Sequence, residues 1–280
     1  EAEKEPSPEL TDKIKVRLGA CLLDRGSRKI LEARRLLAAN EVKPADKEKA
    51  DKLSQEGTKD VEAALEQLQP VTGNEKSPML AQASYREAEC LLQLGRLDEA
   101  IKLLSKFRDF GPFQNIAGLS DRALLRLGQA LSEKKQWDAS RNAYETLLGR
   151  FGNSPWANEA RYGIGWAFQN QANYDAAINF YNQVSAATAS ELGARAQINI
   201  GVCRLLQKRF PEASAALLVV PYTYDYPELS ALALMEAARA FAENKQNDQA
   251  IRLLRRVIKD HAGSSQAEAA RKRLADLGDG

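Results

Sequence analysis

Apolar residues along this chain recur every three or four positions, the period of one helix face, rather than every second position as a half-buried strand would require. The pattern also repeats on a longer scale. The segments "GRLDEA", "KQWDAS", "ANYDAA", "KRFPEA" and "KQNDQA" end on Ala100, Ser140, Ala177, Ala213 and Ala250, spaced by 40, 37, 36 and 37 residues. "DVEAALEQL" extends the series back to Ala64 and "ILEARRLL" to Ala33, giving about 36 residues per interval, the length of a helix pair.

Counting so that these residues take position 20, and aligning the first helix of the chain on Gly19, position 8 carries Gly19, Ala88, Gly128, Gly165, Gly201 and Ala238, and position 24 carries Leu68, Leu104, Tyr144, Tyr181, Leu217 and Leu254. Small residues at 8 and 20 let two helices approach closely, and the large residue at 24 fills the space beside the contact. Asp98, Asp138, Asp175, Pro211 and Asp248 at position 18 suit the first turn of the second helix. The stretch from 45 to 80 departs most: "ADKEKADKLSQEG" is too polar for a packed first helix and reads as part of one long helix with Leu53, Val61, Leu65 and Leu68 inward. At the other end Ser265 and Glu268 have capping-box spacing, and Ala267, Ala270, Leu274 and Leu277 share one face of a closing helix.

A small residue at 8, a turn former near 15, an aromatic near 17, Ala at 20 and an occasional Pro at 32, as in Pro112, together resemble the tetratricopeptide repeat over residues 12–262, most clearly from 81. The period of 36 to 37, and the correspondence of "FGNSPWANEA" at 151 with "HAGSSQAEAA" at 261, look like the repeats of bacterial envelope proteins such as outer-membrane assembly lipoproteins and periplasmic cell-division coordinators. The resemblance implies an all-α, right-handed superhelical solenoid of antiparallel helix pairs. Its parts are an N-terminal segment (1–11), weak or degenerate helices (12–80), five repeats (81–262) and a C-terminal capping helix (263–280). It also implies a protein-interaction scaffold of the periplasm or cell envelope.

Composition narrows the picture. Apolar residues make up 44% of the chain, too many for disorder, while the longest apolar run, "AALLVV" at 215–220, is far short of the ~20 residues of a membrane helix. Forty Lys and Arg against 38 Asp and Glu leave a net charge of +2, so no global field draws the protein to nucleic acid or anionic lipid. The chain opens "EAEKEPSPEL", with neither an initiator Met nor a leader pattern, and is expected to be processed or a piece of a longer protein.

Candidate chemistry is sparse. In "YGIGWAFQN" (162–170) the glycines fall inside a first helix with no strand before them, whereas a phosphate loop needs them between a strand and a helix start. Cys21, Cys90 and Cys203 all fall at position 10, where other repeats carry Ala130, Ala167 and Ala240, so they read as small buried core residues. His261 has no nucleophile or ligand set beside it. No catalytic residue, metal or cofactor is expected.

In the resembled family the first helices line a concave groove through positions 2, 5, 6, 9, 12 and 13. The resemblance therefore places Val16, Tyr85, Leu125, Tyr162, Ile198 and Met235 (position 5) on its floor. Arg86, Arg122, Arg126, Arg195 and Arg239 flank them, with Gln129 and Trp166 at position 9, Asn199 at 6 and Asn170 at 13. An apolar floor edged by Arg and amides suits a helical or extended peptide with acidic flanks. Arg122 and Arg126 are expected to border one cleft with Tyr162 and Trp166. The Lys and Asn of the family's carboxylate clamp, at positions 5 and 9, are absent, so recognition of that type is not implied. Two other surfaces compete: Tyr222, Tyr224 and Tyr226 in "VPYTYDYPE", and seven basic residues between Ile251 and Arg273, an alternative face for an acidic partner or nucleic acid. A purely structural or self-assembling role is the remaining alternative. The partner's identity and the oligomeric state are not legible.

Overall fold

In the computed structural model, which describes residues 7–38 and 43–278, all regular structure is helical. The helices are α1 (Pro8–Leu37), α2 (Pro44–Thr72), α3 (Leu80–Gln93), α4 (Leu97–Asp109), α5 (Ser120–Glu133), α6 (Trp137–Arg150) and α7 (Ala157–Asn170). They continue with α8 (Tyr174–Ala187), α9 (Glu191–Leu206), α10 (Phe210–Leu218), the short α11 (Val220–Thr223), α12 (Pro227–Glu243), α13 (Asn247–Asp260) and α14 (Gln266–Asp276). A 3₁₀ turn spans Gly111–Phe113. The chain divides into two compact units, 1–135 and 136–280.

Within each unit the sequence register becomes packing. Position 20 is fully buried at Ala64, Ala100, Ala177, Ala213 and Ala250, and position 24 at Leu68, Leu104, Tyr181, Leu217 and Leu254. A Cβ on Gly19 would lie 2.8 Å from Cγ of Leu68, and one on Gly165 would lie 2.9 Å from Cε1 of Tyr181. The glycine at 8 is the room that the large residue at 24 occupies. Second helices α4, α6, α8, α10 and α13 all begin at position 17, with Leu97, Trp137, Tyr174, Phe210 and Asn247.

The turn between the two helices of a repeat has a fixed shape. Gly95, Lys135, Ala172, Lys208 and Lys245, all at position 15, have φ of 73°, 58°, 58°, 60° and 60°. The following N–H bonds back across the helix end, as Arg96 does to Leu91 O and Asn173 to Phe168 O, the 6→1 closure that ends a helix in a left-handed residue. Three of these turns are also tied to the repeat before them. Lys134 meets Asp98, Gln171 Nε2 donates to Asp138 Oδ1 at 3.0 Å, and Gln207 Nε2 donates to Asp175 Oδ1 at 2.9 Å, so the acid at position 18 anchors the next repeat as well as suiting its own helix start. The linkers at 151 and 261 build the same turn, in which Ser154 N and Ser264 N donate to Phe151 O and His261 O, both at 2.9 Å.

Four expectations are corrected. First, "ILEARRLL" is no second helix: Ala33 lies in α1, which runs unbroken through 30 residues from Pro8, across the expected boundary at 11 and 12. It pairs with the equally long α2, in which Leu53 is half-buried and Val61, Leu65 and Leu68 are buried as expected. Gly26 and Gly57 set that crossing, since a Cβ on either would come within 2.8 Å of the other's carbonyl oxygen. Second, Cys21 is exposed. Position 10 faces the preceding second helix, and among the described residues no helix precedes α1. Third, Ser265 makes no side-chain cap and Glu268 pairs with Arg271 instead, so α14 starts without its capping box although Ala267 and Ala270 are buried as expected. Fourth, most of the expected groove floor is covered, as described below. Among the described residues no helix is long and apolar enough to cross a membrane.

Candidate interaction face

In the first unit, α1, α3 and α5 turn one side to a shared face. Two adjoining clefts open there, of about 470 and 250 Å³, and their lining comes from α1, α3, α5 and the α5 N-cap Leu119 alone. The smaller holds Val16, Tyr85 and Leu119; the larger holds Arg34, Arg86 and Arg126 with Asp24, Glu89 and Glu133. Glu89, on α3, is the hub. Its carboxylate accepts from Tyr85 OH at 2.8 Å and Arg86 Nη1 at 3.0 Å, lies 3.6 Å from Arg126 Nη2, and is itself only 16% exposed. Arg126 also donates to Gln129 Oε1 at 3.0 Å, which ties two of the expected groove residues together.

The expected apolar floor is mostly packed away. Tyr85, Leu125, Ile198 and Val16 are 1, 5, 5 and 6% exposed. Position 5 points between its own second helix and the next first helix: Tyr85 sets its ring edge-on to Phe107 of α4, and Ile198 packs among Leu217 of α10 and Ala233 and Ala237 of α12. Burial pushes the Tyr85 phenol pKa well above its usual value, with the neighbouring Glu89 charge adding to it.

In the second unit the same register gives a different surface. Tyr162 is half-buried, its ring 5.3 Å from that of Tyr181 and its hydroxyl accepting from Asn199 Nδ2 at 2.9 Å. Trp166, one turn on, is 40% exposed, and Asn170 Nδ2 closes onto its carbonyl at 2.8 Å. Met235 and Arg239 are half-buried, Arg239 lying 3.4 Å from Glu236. Arg122, half-buried, and Arg126, exposed, belong to the first unit, and Tyr162 and Trp166 to the second. Residues that the sequence reading passed over are Glu89, at groove position 9, Arg34 and Asp24 on the extended α1, and Leu206, at position 13 and 45% exposed. Reading positions 9 and 13 in every repeat would have found Glu89 and Leu206.

The competing surfaces divide too. Tyr224 is buried and seals the joint between α9 and α12, whereas Tyr222 is 74% exposed, with the Arg256 guanidinium over its ring and bonded to its hydroxyl at 2.9 Å. In the basic stretch the two acids are both paired, Asp260 with Arg256 and Glu268 with Arg271. Burial raises the thiols of Cys90 and Cys203 to about 12, far from a reactive thiolate. Among the described residues no group of three or more His, Cys, Asp or Glu side chains could hold a metal.

Tetratricopeptide repeat family models match residues 55–115, 125–191 and 162–226, and a second such model matches 232–264, together more than half of the chain. The chain belongs to the tetratricopeptide repeat family. Solved structures agree at the level of fold. The C-terminal part of a TPR repeat-containing protein from Cytophaga hutchinsonii is similar at 17% identity and TM-score 0.59, over 72% of this chain and 75% of that one. MamA is similar at 17% identity and TM-score 0.52, over 68% and 96%. YrrB, described as a TPR protein with an unusual peptide-binding site, is similar at 16% identity and TM-score 0.53, over 73% and 96%. No curated protein matches the sequence. For this tetratricopeptide repeat chain the family accounts for the register of both units.

Proposed function

We propose that this tetratricopeptide repeat protein is a non-enzymatic interaction scaffold that holds a helical or extended peptide segment on its first-helix face. The observation that supports it is the pair of adjoining clefts in the first unit, lined by α1, α3, α5 and Leu119 alone. Five arginines and three carboxylates line them, with an apolar notch alongside, so the segment favoured is one with acidic residues next to an apolar anchor. Trp166 offers the corresponding aromatic contact in the second unit. The peptide-binding site named for YrrB, a protein of similar fold, is in keeping with such a role.

The test is selection of a peptide-display library on the intact chain, followed by titration of the enriched peptides. Arg86→Ala with Arg126→Ala should weaken binding by about tenfold or more, while Arg252→Ala on α13 leaves it unchanged. Equal affinity for all three proteins would reject the reading. A bacterial envelope location is proposed on the repeat period and the matching linkers alone, and cell fractionation against a periplasmic marker tests it.

A further inference from the structure

One interval of the repeat is longer than the rest: Ala100 and Ser140 are 40 residues apart, where the later intervals are 36 or 37. The extra length lies between α4 and α5, which are joined by residues 110–119, whereas residues 151–156 join α6 to α7 and residues 188–190 join α8 to α9. The added segment is apolar and held in place. Phe113 is buried with its ring 5.0 Å from that of Phe107, Phe110 stands edge-on to it at 5.2 Å, and Ser120 Oγ donates to Phe113 O at 2.6 Å while accepting from Ile116 N at 2.8 Å. Together with the turn between α2 and α3, this segment walls a cleft of about 790 Å³ inside the first unit. It is larger than either cleft of the first-helix face and shares only Gln82 with them.

The lining divides into an apolar body and one cation. Phe110, Pro112 and Ile116 come from the added segment, Pro78 and Leu80 from the α2–α3 turn and the start of α3. Phe110 is 47% exposed and both prolines are exposed, so this apolar area stands in water. The hydroxyls of the lining are committed: Thr72 Oγ1 donates to Glu87 Oε2, and Ser77 Oγ accepts from Met79 N at 3.2 Å. Lys106, in the last turn of α4, is different, being half-buried and without an acidic partner among the described residues. Glu75, the one acid of the lining, is exposed in its turn, so the more desolvated charge of the cleft is positive. We propose that this cleft binds a small carboxylate with an apolar body, its charge on the Lys106 ammonium and its ring or branched chain against Phe110, Pro112 and Ile116. The volume falls in the range of small-molecule sites, about 300–1,000 Å³, which are lined in this way by apolar groups with a few placed polar ones. An ion pair with a partly desolvated ammonium is stronger than one in open water, and a lone cation suits one carboxylate rather than a phosphate, which takes several donors.

The test is a ligand-detected NMR titration of the intact chain with phenylacetate and with its neutral counterpart phenylacetamide. Phenylacetate should bind saturably with a Kd on the order of 0.1–1 mM, as befits ten heavy atoms, and the amide severalfold more weakly. Lys106→Gln should erase the difference between acid and amide. Phe110→Ser should weaken both by about fivefold or more, and Pro112→Ser, at a neighbouring exposed position, gives the same reading should Phe110→Ser lose its helical circular dichroism. Trp166→Ala, in the second unit, should change neither. No saturable binding into the tens of millimolar, an amide that binds as well as the acid, or affinities untouched by Lys106→Gln and Phe110→Ser overturns the proposal. None of these results bears on the peptide reading, because the substituted residues line neither cleft of the first-helix face.

Discussion

Gly165 lies against the ring of Tyr181: a methyl group on its α-carbon would stand 2.9 Å from Cε1, inside van der Waals contact, and the ring is fully buried and has nowhere to go. Gly163, two residues earlier, is spaced in the same way against Tyr144. The glycine pair that resembles a phosphate loop is thus the space required by two tyrosines. Alanine at 165 would gain about 1 kcal/mol of helix propensity and lose about 1–3 kcal/mol to overpacking. Gly165→Ala should therefore lower the urea midpoint, and the loss should shrink in a Tyr181→Leu background, as a double-mutant cycle measures.

Ala172 occupies the left-handed turn position with φ of 58°, where an L side chain is strained and glycine is not. Gly95 already fills the equivalent place. Ala172→Gly should stabilise the chain by about 0.5–1 kcal/mol, read as a higher melting temperature. A decrease would mean that the turn is not held in this conformation in solution.

The three cysteines should separate by reactivity. Cys90 and Cys203 are buried with thiols raised to about 12, and Cys21 is exposed. A thiol reagent at neutral pH and low protein concentration should modify one cysteine per native chain and all three after denaturation. Because Ala stands at the same register in other repeats, Cys203→Ala should cost little, about 1 kcal/mol or less.

Asp60 joins α2 to α1. Arg25 donates to its carboxylate through Nε at 2.9 Å and through Nη2, and Lys29 Nζ lies 3.0 Å away. The hydrogen bonds from Arg25, and then Lys29, hold the carboxyl pKa below its ordinary value against the opposing effect of burial. A carboxylate with a depressed folded pKa adds stability that is complete above its unfolded value of about 4 and disappears as pH falls through the folded value. Asp60→Asn should thus destabilise at pH 7, with the difference from wild type closing below about pH 4. A difference that is constant between pH 7 and pH 3 would show that the ion pairs contribute nothing.

Local physics made most of the fold legible. Positions 8, 18, 20 and 24 each answer to a single steric or helix-end demand, and each is met by residues drawn from a short list, so Gly201 facing Leu217 can be foreseen from spacing alone. The α1–α2 pair was harder, because its crossing is set by Gly26 and Gly57, a device used once and without a periodic signature. The face was least legible. Position 5 is apolar in every repeat, but whether an apolar side chain lies on a groove or inside a joint depends on how far the next helix advances over it, and Ile198 is covered by α12 while Tyr162, at the same position, stays half-buried. Glu89 escaped notice because a charged residue at one position carries no signal until Tyr85, Arg86 and Arg126 are seen to converge on it.

Hydrogen–deuterium exchange of the intact chain, with and without a peptide enriched by display selection, tests the recognition face most directly. Slowed exchange concentrated in α1, α3 and α5, with α4 unchanged, is the result expected of a segment seated in the clefts of the first unit. Protection confined to second helices, or to residues 220–228 and α13 and α14, would contradict it and move the partner to the outer surface.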